Sequence, residues 1–178
     1  PGGQNRLRQL GGDALSTTEI RRIHETKQDA FAASLAGGIA PRPGIVDTLT
    51  AARAAGLRIG FVTTTTPRTI AMIRQALNAH IDMSDFAVIT SKDDVVREKP
   101  DGACYKLALS RLGIASRDAL AIEDTVASQS AAVAAGVRCH LYTGSYAIAG
   151  DAPLQTRDPV AALKADLAAK RHEAEGLA

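Results

Sequence analysis

After Gly44 the chain alternates four times between helical spacing and short apolar runs, and few folds accept that order. Residues 45–55, 69–79, 103–112 and 128–135 carry helical patterns, several of them ended by glycine, as at Gly56, Gly113 and Gly136. The apolar runs at 57–62, 86–89, 119–122 and 137–142 read as strands. Strands that alternate with helices predict a parallel sheet joined by right-handed crossovers, the α/β class. Residues 158–175 close the pattern as a charged amphipathic helix.

The section before Gly44 is different. Residues 16–35 read as one long helix, with Ser16 or Thr17 able to cap, Glu19 in the first turn, and Ile20, Ile23, Lys27, Ala30 and Phe31 on one stripe. A shorter helix is expected around 5–10, separated by Gly11-Gly12. The stretch Gly37-Gly38-Ile39-Ala40-Pro41-Arg42-Pro43-Gly44 is the densest turn signal in the chain and places a boundary there. The expected organisation is therefore a helical domain over 1–40, an α/β core over 41–157 and a C-terminal helix over 158–178.

Composition narrows the function classes. A length of 178 residues suffices for a sizeable core, but only 3% are aromatic, so Ala, Leu, Val and Ile must build it. The 21 basic and 19 acidic residues are interspersed, which leaves neither a nucleic-acid footprint nor a polybasic membrane patch. No apolar stretch approaches the ~18 residues of a membrane span, and Pro1 to Arg6 lack a signal-peptide core, so the expected setting is cytoplasmic. Cys104 and Cys139 form no CxxC pattern and read as buried small hydrophobes.

Chemistry gathers at three successive strand ends, which parallel connectivity places along one edge of the sheet. After the first strand comes Thr63-Thr64-Thr65-Thr66, whose hydroxyls and N–H groups lead into a helix start at Pro67 and suit an anion. The plainer alternative is that these threonines extend the strand and cap the helix. After the second comes Lys99, which Pro100 biases toward an extended conformation; alone it would read as a solvated loop lysine. After the third come Glu123 and Asp124, hard oxygen ligands of the kind Mg²⁺ takes one or two of, or else acids that complement a helix dipole. Threonine, lysine and acid together describe a phosphoryl-transfer site.

In that order and spacing the chain resembles the haloacid dehalogenase superfamily, with Thr63 in its second motif, Lys99 in its third and Glu123-Asp124 in its fourth. Residues Ile39 to Ile45 are similar to the segment that returns from cap to core in the β-phosphoglucomutase-like branch. Gly2-Gly3-Gln4-Asn5-Arg6-Leu7, His24-Glu25-Thr26-Lys27, Val62-Thr63-Thr64-Thr65 and Gly144-Ser145-Tyr146 resemble the CbbY-type sugar-bisphosphate phosphatases of that branch. Three departures stand beside the likeness. Gly102 and Ala103 occupy the last two positions of Lys-Pro-x-Pro-Asp, Ser128 stands where glycine is usual, and Gln4 where lysine is common.

The resemblance implies a Rossmann-like, three-layer parallel-sheet core with a small helical cap, and a monomeric Mg²⁺-dependent phosphatase of a small phosphorylated sugar such as a pentulose bisphosphate. On it, Thr63 donates its hydroxyl and Thr64 its N–H to the transferring phosphoryl group, and Lys99 neutralises charge there. Asp124 is a Mg²⁺ ligand supported by Glu123, while Arg6 and Lys27 face substrate from the cap. The family's nucleophile is the first aspartate of an Asp-x-Asp motif on the first strand, and no Asp here is followed two residues later by another. The expectation is thus an N-terminally incomplete hydrolase, inactive alone, whose missing strand lies between those ending at Val62 and Ile122. A phosphosugar mutase and a non-catalytic phosphate-binding or interaction protein are the alternatives.

Overall fold

The computed structural model of the chain describes residues 7, 8, 11, 14–144, 150 and 152–176. In chain order its elements are helix α1 (Thr17–Leu35), α2 (Ile45–Ala54), strand β1 (Gly60–Phe61), α3 (Pro67–Leu77), β2 (Val88–Ile89), α4 (Ala103–Leu112), β3 (Leu120–Glu123), α5 (Val126–Ala134), β4 (Arg138–Leu141) and α6 (Pro159–Gly176). The alternation read from sequence is therefore present. The helix expected at 5–10 falls largely outside the described residues, although Leu7 and Arg8 are helical. No described helix is long and apolar enough to cross a membrane.

The chain divides into two units, one of Pro1–Ala40 with Thr66–Met83 and the other of Pro41–Thr65 with Ser84–Ala178. In the first, α1 packs on α3. Helix α1 starts at a capping box: Glu19 N–H donates to Ser16 Oγ at 3.2 Å and Ser16 N–H to Glu19 Oε2 at 2.8 Å. Of the expected stripe only Ile20 is buried, while Ile23 and Lys27 are exposed. Helix α3 begins where Thr66 Oγ1 accepts from Thr69 N–H at 3.2 Å and proline takes the first turn.

The second unit carries the strands. β1 pairs parallel with β2, Gly60 opposite Val88 and Phe61 opposite Ile89, and β3 pairs parallel with β4 from Leu120 opposite Arg138 to Glu123 opposite Leu141. The sequence predicts one parallel sheet; among the described residues there are two two-stranded ladders, and none joins β1 to β3. The run 57–62 also yields only a two-residue strand. Gly60 makes room for its partner, because a Cβ there would sit 2.7 Å from Val88 Cγ1.

Around β3 and β4 the core is built of small residues, as the scarcity of aromatics predicts. Cys104, Ala131, Ala132 and Cys139 are 0% exposed, with Tyr105, Ala121 and Val137 beside them. Both cysteines are free thiols. Helix α6 is tied to β4 through Asp166, which meets Arg138 Nε at 2.9 Å and His140 Nε2 at 2.7 Å. Gly102 lets the start of α4 lie against the end of α5: a Cβ there would come within 3.0 Å of Ala135 N and 3.2 Å of Ala131 O.

Those neighbours are helix backbone, which cannot swing aside as a flexible side chain does. Gly102→Ala is expected to lower the free energy of unfolding by about 1–3 kcal/mol, the usual cost of overpacking. Urea unfolding reads this as a lower midpoint at constant slope; an unchanged midpoint would show that α4 and α5 separate freely.

Candidate active site

The two adjacent acids have different surroundings. Glu123 ends β3, whereas the cap of α5 is Thr125, whose Oγ1 accepts from Ser128 N–H at 3.3 Å. Capping is thus done by the threonine, not by either carboxylate. Glu123 turns inward, its side chain 12% exposed, and its Oε1 accepts from Lys99 Nζ at 2.5 Å and from the Tyr105 hydroxyl. Asp124 is exposed and has no hydrogen bond or ion pair among the described residues.

Lys99 is 13% exposed and donates also to the carbonyl of Val62, just past β1, at 2.9 Å. Its ammonium lies 5.3 Å from the centroid of the Tyr105 ring. A charge pair this buried holds only because further hydrogen bonds satisfy both ends, the Val62 carbonyl for one and the Tyr105 hydroxyl for the other. The loop that delivers Lys99 is braced on either side of a cis Lys99–Pro100 peptide. Arg97 Nε meets Asp101 Oδ2 at 2.9 Å, and Asp101 Oδ1 accepts from the N–H of Ala103, the first residue of α4, at 2.8 Å. Asp101 thus supports this loop although Gly102 and Ala103 replace the usual Pro-Asp.

Beyond β1 the chain turns at the threonines. Thr63 Oγ1 accepts from Thr65 N–H at 3.1 Å, which fixes the side chain and leaves its single proton for an acceptor outside the turn. The N–H of Thr64 has no partner among the described residues. A hydroxyl and an amide donor here, a lysine paired with a buried acid, and an exposed carboxylate form a set that can bind an anion and a hard cation together.

The structure brings Lys99 and Glu123 into contact, places Thr63 next to the carbonyl that Lys99 holds, and puts Asp124 next to Glu123. Lys27 is exposed on α1 in the first unit, and Arg6, Ser145 and Tyr146 lie outside the described residues. Among the described residues no three His, Cys, Asp or Glu side chains cluster as a metal cage. Mg²⁺ does not need one, since it commonly takes one or two carboxylates and fills its other positions with water and phosphate. Asp124 has the free oxygens for this, whereas Glu123 has one oxygen engaged.

Sequence reasoning gave no role to Tyr105 or Thr90. Tyr105 had a signal, because a tyrosine buried in an alanine-rich core must find a partner for its hydroxyl. Thr90, which bonds the backbone of Thr63, had none, since a threonine at a strand end is ordinary.

Comparison with known proteins bears on the family and the fold. The family model for haloacid dehalogenase-like hydrolases matches residues 3–136. The protein CbbY of Cereibacter sphaeroides is 37% identical over 150 residues, covering 82% of this chain and 65% of its own length. CbbY of Rhodobacter capsulatus is 32% identical, with 82% of this chain and 66% of that protein covered. The crystal structure of Rhodobacter sphaeroides CbbY in complex with xylulose-(1,5)bisphosphate superimposes with a TM-score of 0.76 at 31% identity, over 89% of this chain and 74% of that one. The chain thus spans just under two thirds of the length of the two CbbY sequences.

Burial, and next the Glu123 carboxylate, push the Cys139 thiol up to about 12 from an ordinary 9.0, and burial pushes Cys104 and Tyr105 up as well. Between these values the folded chain keeps the Cys139 proton that the unfolded chain has lost, so stability falls as pH rises from 9 toward about 12. Urea midpoints across that range should fall less steeply for Cys139→Ala than for the unmodified chain. Equal slopes would show that the thiol titrates freely in the folded state.

Proposed function

Because the chain belongs to the haloacid dehalogenase-like hydrolase family, we propose that it is the larger part of a Mg²⁺-dependent phosphatase of a small phosphorylated sugar, with a pentulose bisphosphate as substrate. The observation that carries this reading is the buried Lys99–Glu123 pair, bonded to the carbonyl that precedes the Thr63 turn. It is supported by the 37% identity to a CbbY and by the xylulose-(1,5)bisphosphate in a CbbY crystal structure.

On this reading Thr63 O–H and Thr64 N–H hold oxygens of the transferring phosphoryl group, and Lys99 offsets its charge. Glu123, kept in place by Tyr105, aims the ammonium. Asp124 would hold Mg²⁺, whose contribution when bound is to polarise a phosphoryl oxygen and offset developing charge. Preorganised donors of this kind matter because they cost no reorganisation when charge moves. The nucleophile belongs to the proposal too: an aspartate on a strand outside this sequence, between β1 and β3, where no ladder joins them. Arg6 and Lys27 enter on sequence resemblance alone, as contacts to the sugar or its second phosphate. A cytoplasmic setting fits two free, fully buried thiols.

The coding sequence upstream of Pro1 tests the reading first. An in-frame Asp-x-Asp motif is expected, and a stop codon directly before Pro1 would sink the missing-strand part. The protein extended by that sequence should release inorganic phosphate from sugar bisphosphates with Mg²⁺, and Lys99→Met or Asp124→Asn should lower kcat about 10²–10³-fold. The 178-residue chain alone should not turn over p-nitrophenyl phosphate. Sustained Asp124-dependent turnover by that chain contradicts the proposal, and return of phosphate to another hydroxyl of the same sugar would identify a mutase.

A further inference from the structure

The ladder between β1 and β2 does not stop by running out of chain. Thr90 N–H donates to Phe61 O at 3.1 Å, and in a regular parallel ladder the next rung would run from Thr63 N–H to the main-chain oxygen of Thr90. Instead the side chain takes that rung. Thr90 Oγ1 accepts from Thr63 N–H at 3.0 Å and donates to Thr63 O at 2.8 Å, so one hydroxyl grips both polar groups of the residue. Thr90 is 0% exposed, and its proton and an acceptor site are both committed.

The same short segment holds the far end of the turn. Lys92 N–H donates to Thr65 O at 2.7 Å, while Thr65 N–H donates to Thr63 Oγ1 at 3.1 Å. The Thr63–Thr65 turn is thus fixed at its first residue by the Thr90 hydroxyl and at its last by the Lys92 amide. With Thr90 buried and its hydroxyl fully engaged the turn is held at both ends, and the donors without a partner among the described residues are the Thr63 hydroxyl and the Thr64 N–H.

We infer that Thr90 is a positioning residue for the anion-holding turn: its hydroxyl fixes the backbone of Thr63 and thereby the directions of the Thr63 O–H and Thr64 N–H. The inference rests on the reading of that turn as a phosphate holder. A valine has the shape of threonine without its hydrogen bonds, and a serine keeps the hydroxyl without the methyl. Three measurements on the 178-residue chain, made with Mg²⁺ present, separate aim from bulk stability: amide hydrogen exchange at Thr63 and Thr65, affinity for inorganic phosphate, and thermal midpoint.

Thr90→Val should speed exchange at Thr63 and weaken phosphate binding about tenfold, the effect of losing about one hydrogen bond, while Thr90→Ser stays within about threefold of the unmodified chain on both. Thr90→Ala set against Thr90→Ser repeats the contrast if the valine variant does not fold. A merely structural threonine would instead lower the midpoint in every variant and leave phosphate affinity of the folded chain unchanged. Unchanged affinity in Thr90→Val, or equal loss in Thr90→Ser, overturns the proposal and leaves the phosphate reading standing. Absence of phosphate binding by the unmodified chain, with Thr63 exchange still following the hydroxyl, overturns the phosphate reading and the positioning role with it.

Discussion

The ion pair between Lys99 and Glu123 is the constraint on which the second unit depends. It joins three strand and helix ends that no backbone ladder connects among the described residues: the residue after β1 through the Val62 carbonyl, the end of β3 through Glu123, and the start of α4 through Tyr105. Buried ion pairs often contribute no more than apolar residues of similar size, and removing one partner is far costlier than replacing both. A core of alanine and cysteine that nevertheless encloses such a pair is therefore organised around it. The pair also acts on its surroundings, since burial first and the Glu123 carboxylate next raise the thiol of Cys139 and the hydroxyl of Tyr105.

Small residues make this enclosure possible. Ala131 and Ala132 have no exposed surface, and Gly102 lets α4 approach the backbone of α5 at distances a side chain would forbid. That close approach places Tyr105, three residues along α4, over the end of β3. A chain with 3% aromatic residues thus uses one of its three tyrosines as a polar fitting rather than as bulk. Composition and site are in this respect the same fact.

Much of this was legible in the sequence. Ordinary helix boundaries were, because glycine stops and threonine or serine caps act locally, as Gly113 after α4 and Ser16 before α1 do. So was the contact between the Lys99 loop and the end of β3, because parallel topology sends successive strand ends to one edge. Two things were not. The strand runs 57–62 and 86–89 read longer than their ladders, since pairing depends on a neighbour that a local pattern does not contain. Thr90 was invisible for a similar reason: its importance lies in a bond across 27 positions of sequence.

The acid pair shows why adjacency in sequence does not mean a shared task. Successive side chains at a strand end point to opposite sides, and Thr125 takes over the helix cap, so neither carboxylate is needed there. Glu123 goes inward and is matched by one positive charge. Asp124 goes outward with its charge unmatched among the described residues. On the proposed reading a phosphate beside the Thr63 turn therefore meets one paired ammonium and one free carboxylate, an arrangement that repels it on balance. A divalent cation held at Asp124 would reverse that balance, which gives the proposal its electrostatic reason for Mg²⁺ beside Lys99.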